Sequence, residues 1–246
     1  MTKRSIVLLT AVVALAIFSL AAFVYPKPEE SNPALVAPVA APPVAVPPAA
    51  DQLAGDSLIR PHSPIVGAVD APVTIVEFLD PSCEACRLFF PHVKEILERH
   101  PGEVRVVVRY APFHKGSDEA VRILEAARLQ GIFESILEVL FAEQPTWASH
   151  HAPDLNKAWE IAATKGLDIA RAQIVPALSD VKALLDQEMA DMQVNNVKFT
   201  PTFFINGMQY PNILPERLKE IVASEVQNAK AKRNGGQNTP PEGEVK

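Results

Sequence analysis

FLDPSCEACRLFFPHV, residues 78–93, holds Cys83 and Cys86, the two cysteines of a 246-residue chain. Its meaning depends on what flanks it. Upstream, Ala71 to Leu79 (APVTIVEFL) is a near-continuous apolar run rich in β-branched residues, as in a strand buried on both faces, and Glu77 interrupts it. Downstream, Leu88, Phe89, Val93, Ile96 and Leu97 recur at helical spacing with Arg87, Lys94, Glu95, Glu98 and Arg99 between them. This predicts an amphipathic helix running to about His100, stopped by Pro101-Gly102 and kinked by Pro91. Glu103 to Tyr110 (EVRVVVRY) alternates as a second strand, so the cysteines sit at the strand-to-helix corner of a βαβ opening.

Beyond it the period is helical from Ser117 to about Gln193. Ser117 is expected to cap SDEAVRILEAARLQ, which stops at Gly131; IFESILEVLF follows. Asp154 opens DLNKAWEIAATK, which stops at Gly166, a short helix is expected near Asp168, and Ser179 caps SDVKALLDQEMADMQ. Phe141 and Trp147, between helices of this insertion, are expected to pack in its core. Thr202 to Ile205 and Met208 to Tyr210 form a hairpin around Asn206-Gly207, and Leu214 to Gln227 is a closing helix. The fold class is α/β, with a helical insertion (about 116–193) inside one domain of residues 56–230.

Three chemistries compete for the cysteine pair. A disulfide stabilises mainly by closing a long loop in the unfolded chain, and Cys83 and Cys86 enclose two residues, which makes a poor staple. Structural zinc takes four ligands; the histidines at 62, 92, 100, 114, 150 and 151 supply no second paired half, and His150-His151 lies in a polar loop where solvation is the expected fate. No metal and no cofactor is therefore expected, and haem attachment is excluded by Arg87 where a histidine would follow the second cysteine. Redox exchange needs a thiol at a helix N-terminus, where backbone N–H groups favour thiolate, and a second thiol one turn on. Cys83 is the expected nucleophile and Cys86 the expected resolving thiol.

On VTIVEF before the motif, CEAC itself, Pro91 five residues after Cys86, and TPTFFING, the chain resembles the thioredoxin superfamily. Within it, the exported DsbA-like branch, with its helical insertion, is most similar, over roughly residues 60–225. The resemblance implies a thioredoxin-like fold and a thiol–disulfide oxidoreductase. It implies that Glu77, six residues before Cys83, relays the resolving thiol's proton, and that Thr200-Pro201 is a cis-proline loop whose backbone pairs with extended substrate. Strong oxidants of this branch often carry histidine between the cysteines, whereas this chain has Glu84-Ala85. Glu84, with Asp80 nearby, is expected to oppose the Cys83 thiolate, Arg87 to offset that partly, and the pair to lean toward reductase or isomerase poise.

The ends give the setting. Ser5 to Tyr25 is 21 residues without a charge behind Lys3 and Arg4, long enough to span a bilayer. Residues 1–25 are expected to be an uncleaved anchor, with cleavage near Ser19-Leu20-Ala21 as the alternative, and the rest to be exported to the periplasmic side. Residues 26–55 form a Pro/Ala-rich linker of extended polyproline character, and 231–246 a tail without structure. A net charge of −6 with no basic stripe argues against nucleic acid. The expected partners are exported proteins with thiols or disulfides and a membrane redox partner that resets the pair. Two other classes stay open: metal binding or delivery through Cys83 and Cys86 with Met208 or a histidine, and a redox-inert docking module.

Overall fold

The computed structural model describes residues 57–174 and 181–236. The expected anchor, the linker, the Ser179 cap and residues 237–246 lie outside them. Among the described residues no helix is long and apolar enough to cross a membrane.

The apolar run before the cysteines forms strand β2 (Val73–Leu79), and its alternation decides the layering. Val73, Ile75 and Leu79 point into the larger core, while Val76 and Phe78 point into a second core on the opposite face. Both faces are covered, so β2 lies at the centre of the sheet. Each of these side chains contributes about 1.5–3 kcal/mol through burial.

Strand β1 (Ile65–Gly67), helix α1 (Glu84–Arg99) and strand β3 (Val104–Tyr110) complete the opening unit. The sheet order is β1-β3-β2-β4-β5: β3 is parallel to β2, β1 runs antiparallel to β3, and β4 (Thr202–Ile205) antiparallel to β2. β5 (Met208–Tyr210) pairs antiparallel with β4. The turn between them places Asn206 and Gly207 at φ 49° and 85°, as a two-residue hairpin with both central residues left-handed requires. β1 was not expected; its three residues, Ile65–Gly67, carry too short a pattern to stand out.

The insertion comprises α2 (Ser117–Leu129), α3 (Phe133–Ala142), α4 (Gln144–Trp147), α5 (Leu155–Thr164), α6 (Ile169–Ile174) and α7 (Val181–Val194). Asp154 caps α5 as expected, accepting from the Lys157 amide at 3.0 Å. Ser117 does not cap α2. Gly116 holds that position at φ 80°, and the buried Ser117 hydroxyl turns inward to Asp80. Phe141 and Trp147 are core residues, the Trp147 indole N–H donating to the Leu140 carbonyl at 2.9 Å.

The closing helix α8 (Pro215–Gly236) extends past Gln227 into the stretch expected to lack structure. Arg233 pairs with Glu103 at 2.8 Å, which ties the last turns of α8 to the start of β3. That partner is 130 residues away in the chain, so local composition could not reveal it.

Candidate active site

Glu77 occupies the face of β2 that carries Val73, Ile75 and Leu79, opposite Val108 of β3 and Phe203 of β4. It is 5% exposed. Burial, and secondly the Cys83 charge, push its carboxyl up to about 8.

From Leu79 the chain turns through Asp80-Pro81-Ser82, and Cys83 is the N-cap residue of α1. Its carbonyl accepts from the Arg87 amide at 3.1 Å, the first bond of the helix. Cys86 lies one turn inside. It is fully buried where Cys83 is 6% exposed, and both are free thiols.

The two thiols are driven apart in acidity. The hydrogen bond from the Cys86 thiol does most to lower Cys83, to about 6; burial opposes it, and the Thr200 hydroxyl and the Cys86 and Ala85 amides assist. Burial first, then the hydrogen bond and charge of Cys83 and the charge of Glu77, push Cys86 up. The Asp80 amide donates to Cys86 Sγ at 3.4 Å, a weaker influence in the other direction.

The Thr200–Pro201 peptide is cis, and the Thr200 carbonyl lies 3.5 Å from Cys83 Sγ. Thr200 and Pro201 are half-buried, so a face of this loop stays open beside the sulfur. Cys83, Cys86, Thr200 and Pro201 thus converge on one spot, with Glu77 coupled electrostatically to both cysteines from below.

The residues between the cysteines behave differently from the expectation. Glu84 does not act on Cys83 as an unpaired carboxylate: its Oε1 meets His150 Nε2 at 2.6 Å, so His150 is a partner of the corner and not merely a solvated loop residue. Its own backbone amide, then His150, hold the Glu84 carboxyl below the usual range. Arg87 turns to the Gln144 side chain at 2.9 Å. Asp80 is fully buried and its oxygens are filled: Oδ1 accepts from the Ser82 amide and Ser117 hydroxyl, and Oδ2 from the Phe113 and His114 amides and His114 Nδ1. Ala85 is half-buried and packs against the main core.

Sequence reasoning passed over the parts that His114 and Gln144 play here, and expected Asp80 to act as a charge opposing Cys83. Asp80 and His114 fasten the loop after β2 to the loop after β3, and Gln144 of α4 donates to the carbonyls of Pro81 and Cys83 at 2.9 and 3.0 Å. Gln144 is 2% exposed. The insertion therefore clamps the corner that bears the thiols. The one local signal was Asp80-Pro81-Ser82, a stretch of turn-forming residues; the partners are 33 to 63 residues distant.

A family model described as Thioredoxin matches residues 60–224. The chain is 30% identical, over 69% of its length, to the Na(+)/H(+) antiporter NhaA 3 of Salinispora tropica. That match covers 26% of the antiporter, so the chain spans about a quarter of such relatives. It is 29% identical to Disulfide bond formation protein D of Bacillus subtilis, covering 66% of this chain and 77% of that protein. Among solved structures, a thioredoxin-like oxidoreductase from Silicibacter pomeroyi superposes with a TM-score of 0.59 at 29% identity, covering 72% of this chain and 97% of that one.

Proposed function

We propose, from the premise that the chain belongs to the thioredoxin family, that it is an exported thiol–disulfide oxidoreductase working through Cys83 and Cys86. The observation that carries the reading is the split between the two thiols: one at a helix start, barely exposed and lowered to about 6, the other fully buried and pushed up. At neutral pH Cys83 is the thiolate and Cys86 the reserve.

In the reductive direction the Cys83 thiolate attacks one sulfur of a substrate disulfide. A mixed disulfide forms and the other substrate sulfur leaves as thiolate. Cys86 then gives up its proton, with Glu77 as the acceptor, and attacks Cys83 Sγ. The substrate leaves as dithiol and the Cys83–Cys86 disulfide remains, to be reduced by a membrane redox partner. Oxidation of a substrate is the same sequence reversed. Glu77 suits the acceptor's part because its carboxyl is raised to about 8 by burial and by the Cys83 charge, and the second cause vanishes once Cys83 is in a mixed disulfide, which frees a carboxylate to take the proton. The Thr200 and Pro201 loop holds the substrate's extended backbone beside Cys83.

The poise leans toward reduction or isomerisation. Attacking thiols of strong disulfide oxidants titrate near ~3.5 and those of reductants near ~7; a Cys83 at about 6 lies toward the second group. The origin of that acidity differs from the expectation: the Cys86 hydrogen bond lowers Cys83 most, burial opposes it and Thr200 assists, with Glu84 not among the main causes. Exported proteins bearing thiols or disulfides are the substrates, reached from a membrane anchor at residues 1–25 over the Pro/Ala-rich linker of residues 26–55.

The test is Cys86→Ser in the full chain. Mixed disulfides through Cys83 with exported proteins, or with a membrane redox partner, are the expected outcome, resolved by added reductant. An alkylatable Cys83 that forms no such adducts overturns the exchange mechanism.

A further inference from the structure

We propose that Glu84, His114 and His150 form a divalent transition-metal site of the zinc type on the rim of the thiol corner, separate from the two cysteines. One ligating atom from each lies within 4.8 Å of the other two. They come from three places in the chain: the first turn of α1, the loop after β3 and the loop after α4. Two imidazoles and one carboxylate make the three-ligand set that zinc accepts with a fourth position left open.

The supports behind these ligands favour the assignment. His114 uses Nδ1 on Asp80 Oδ2 at 2.7 Å, which fixes the ring and leaves Nε2 as the ligating nitrogen. A carboxylate behind a ligating histidine is a usual outer partner of a metal site, because it sets the tautomer and raises the basicity of the other nitrogen. Asp80 is itself immobilised by four further hydrogen bonds, two from backbone amides of the His114 loop, one from Ser82 and one from Ser117. The His114 and His150 rings meet edge to face with centroids 5.5 Å apart.

A tetrahedral ion with bonds of about 2.0–2.1 Å holds its ligands roughly 3.3 Å apart. Glu84 and His150 are half-exposed side chains, free to close the remaining distance by rotation. The N-terminus of α1 works against a cation, and the Glu84 and Asp80 carboxylates offset it. An ion bound here replaces the Glu84–His150 hydrogen bond and stands one residue from Cys83.

The experiment is Zn2+ titration by calorimetry on the full chain carrying Cys83→Ser and Cys86→Ser, at mildly alkaline pH so that protons do not compete for the imidazoles. Without thiols the outcome is independent of the exchange mechanism. One ion per chain is expected. His150→Ala and Glu84→Gln, added singly, are each expected to weaken binding by about 10-fold or more. His151→Ala, a neighbouring exposed histidine outside the cluster, is expected to leave it unchanged. Circular dichroism checks that each variant is folded. Absence of binding in the thiol-free chain, or equal binding with and without Glu84 and His150, overturns the site.

Discussion

The central sheet buries a charged residue type on each face, one register step apart. Glu77 pairs across β2 and β3 with Val108 and faces the thiols; Phe78 pairs with Arg109, which faces the second core. Both are almost wholly removed from water. Arg109 has every compensation that burial demands: Glu188 Oε2 at 2.9 Å, Asp191 Oδ2 at 2.6 Å, the Ser57 carbonyl, and the Phe78 ring 5.2 Å from its guanidinium carbon. Arg60 adds a second cation to Asp191 at 2.6 Å, and His62 meets Glu188 at 2.9 Å.

The acids on the two faces therefore move in opposite directions. Burial works to raise Asp191 too, but Arg60 and Arg109 outweigh it and hold its carboxyl below the usual range. Glu77 meets burial and a neighbouring thiolate, and rises to about 8. A buried acid held by guanidinium groups is a fixed strut, here fastening α7 and the segment before β1 to the sheet. One beside a thiol is a proton store. The same desolvation serves structure on one face and chemistry on the other, and the partner decides which.

The largest expected effect breaks the strut. Arg109→Leu leaves Glu188 and Asp191 buried without their shared cation, which costs on the order of 3–5 kcal/mol. Urea denaturation measures the loss, and the exchange rate of the folded fraction with glutathione should stay unchanged. A folded Arg109→Leu protein with impaired exchange would show that the two faces are not independent.

Glu77→Gln is the matching experiment on the other face. The folded carboxyl titrates at about 8 and the unfolded one at 4.5, so below 4.5 both states hold the proton and no stability is lost. As pH rises from 4.5 to 8 the unfolded chain ionises first, and wild type loses stability on the order of 3–5 kcal/mol that Glu77→Gln keeps. Cys83, lowered from 9.0 to about 6, slopes the opposite way between those values; subtracting the variant's profile from that of wild type, both reduced, largely removes it. A difference profile flat across this range would place Glu77 among ordinary carboxylates. Resolution of the mixed disulfide should slow by roughly 10²-fold as the proton acceptor is lost.

This contrast was half visible in the sequence. Glu77 inside VTIVEFL and Arg109 inside VRVVVRY each break an apolar run, which marks a buried charge without naming its partner. Glu77 was readable because its counterpart, CEAC, follows within the same corner. Arg109 was not, because Glu188 and Asp191 lie 79 and 82 residues on, in a helix whose own periodicity is unremarkable. The same limit hid the Asp80–His114 and Glu84–His150 bonds, which span 34 and 66 residues. Local pattern carried the order of strands and helices, the hairpin at Asn206-Gly207 and the Asp154 cap. Side chains that meet through the fold alone leave no periodic trace.

Glu84 supplies the smallest effect and the sharpest division between the two kinds of carboxylate. It is nearer to Cys83 in sequence than Glu77 or Asp191, yet its side chain is half exposed and bound to His150. Water and the imidazole screen it, so its influence on the thiol should be that of a surface charge. With Cys83 alkylation by iodoacetamide followed against pH in the reduced, metal-free protein, the wild-type midpoint is expected at about 6. In Glu84→Gln it should shift by less than about half a pH unit, the size of an exposed-pair effect. Glu77→Gln should also leave it near 6, since a carboxyl held up to about 8 is still neutral while Cys83 titrates. If Glu84→Gln moved the midpoint by a full pH unit or more, the residue between the cysteines would set the poise, and exposure would not be what separates a decorative carboxylate from a working one.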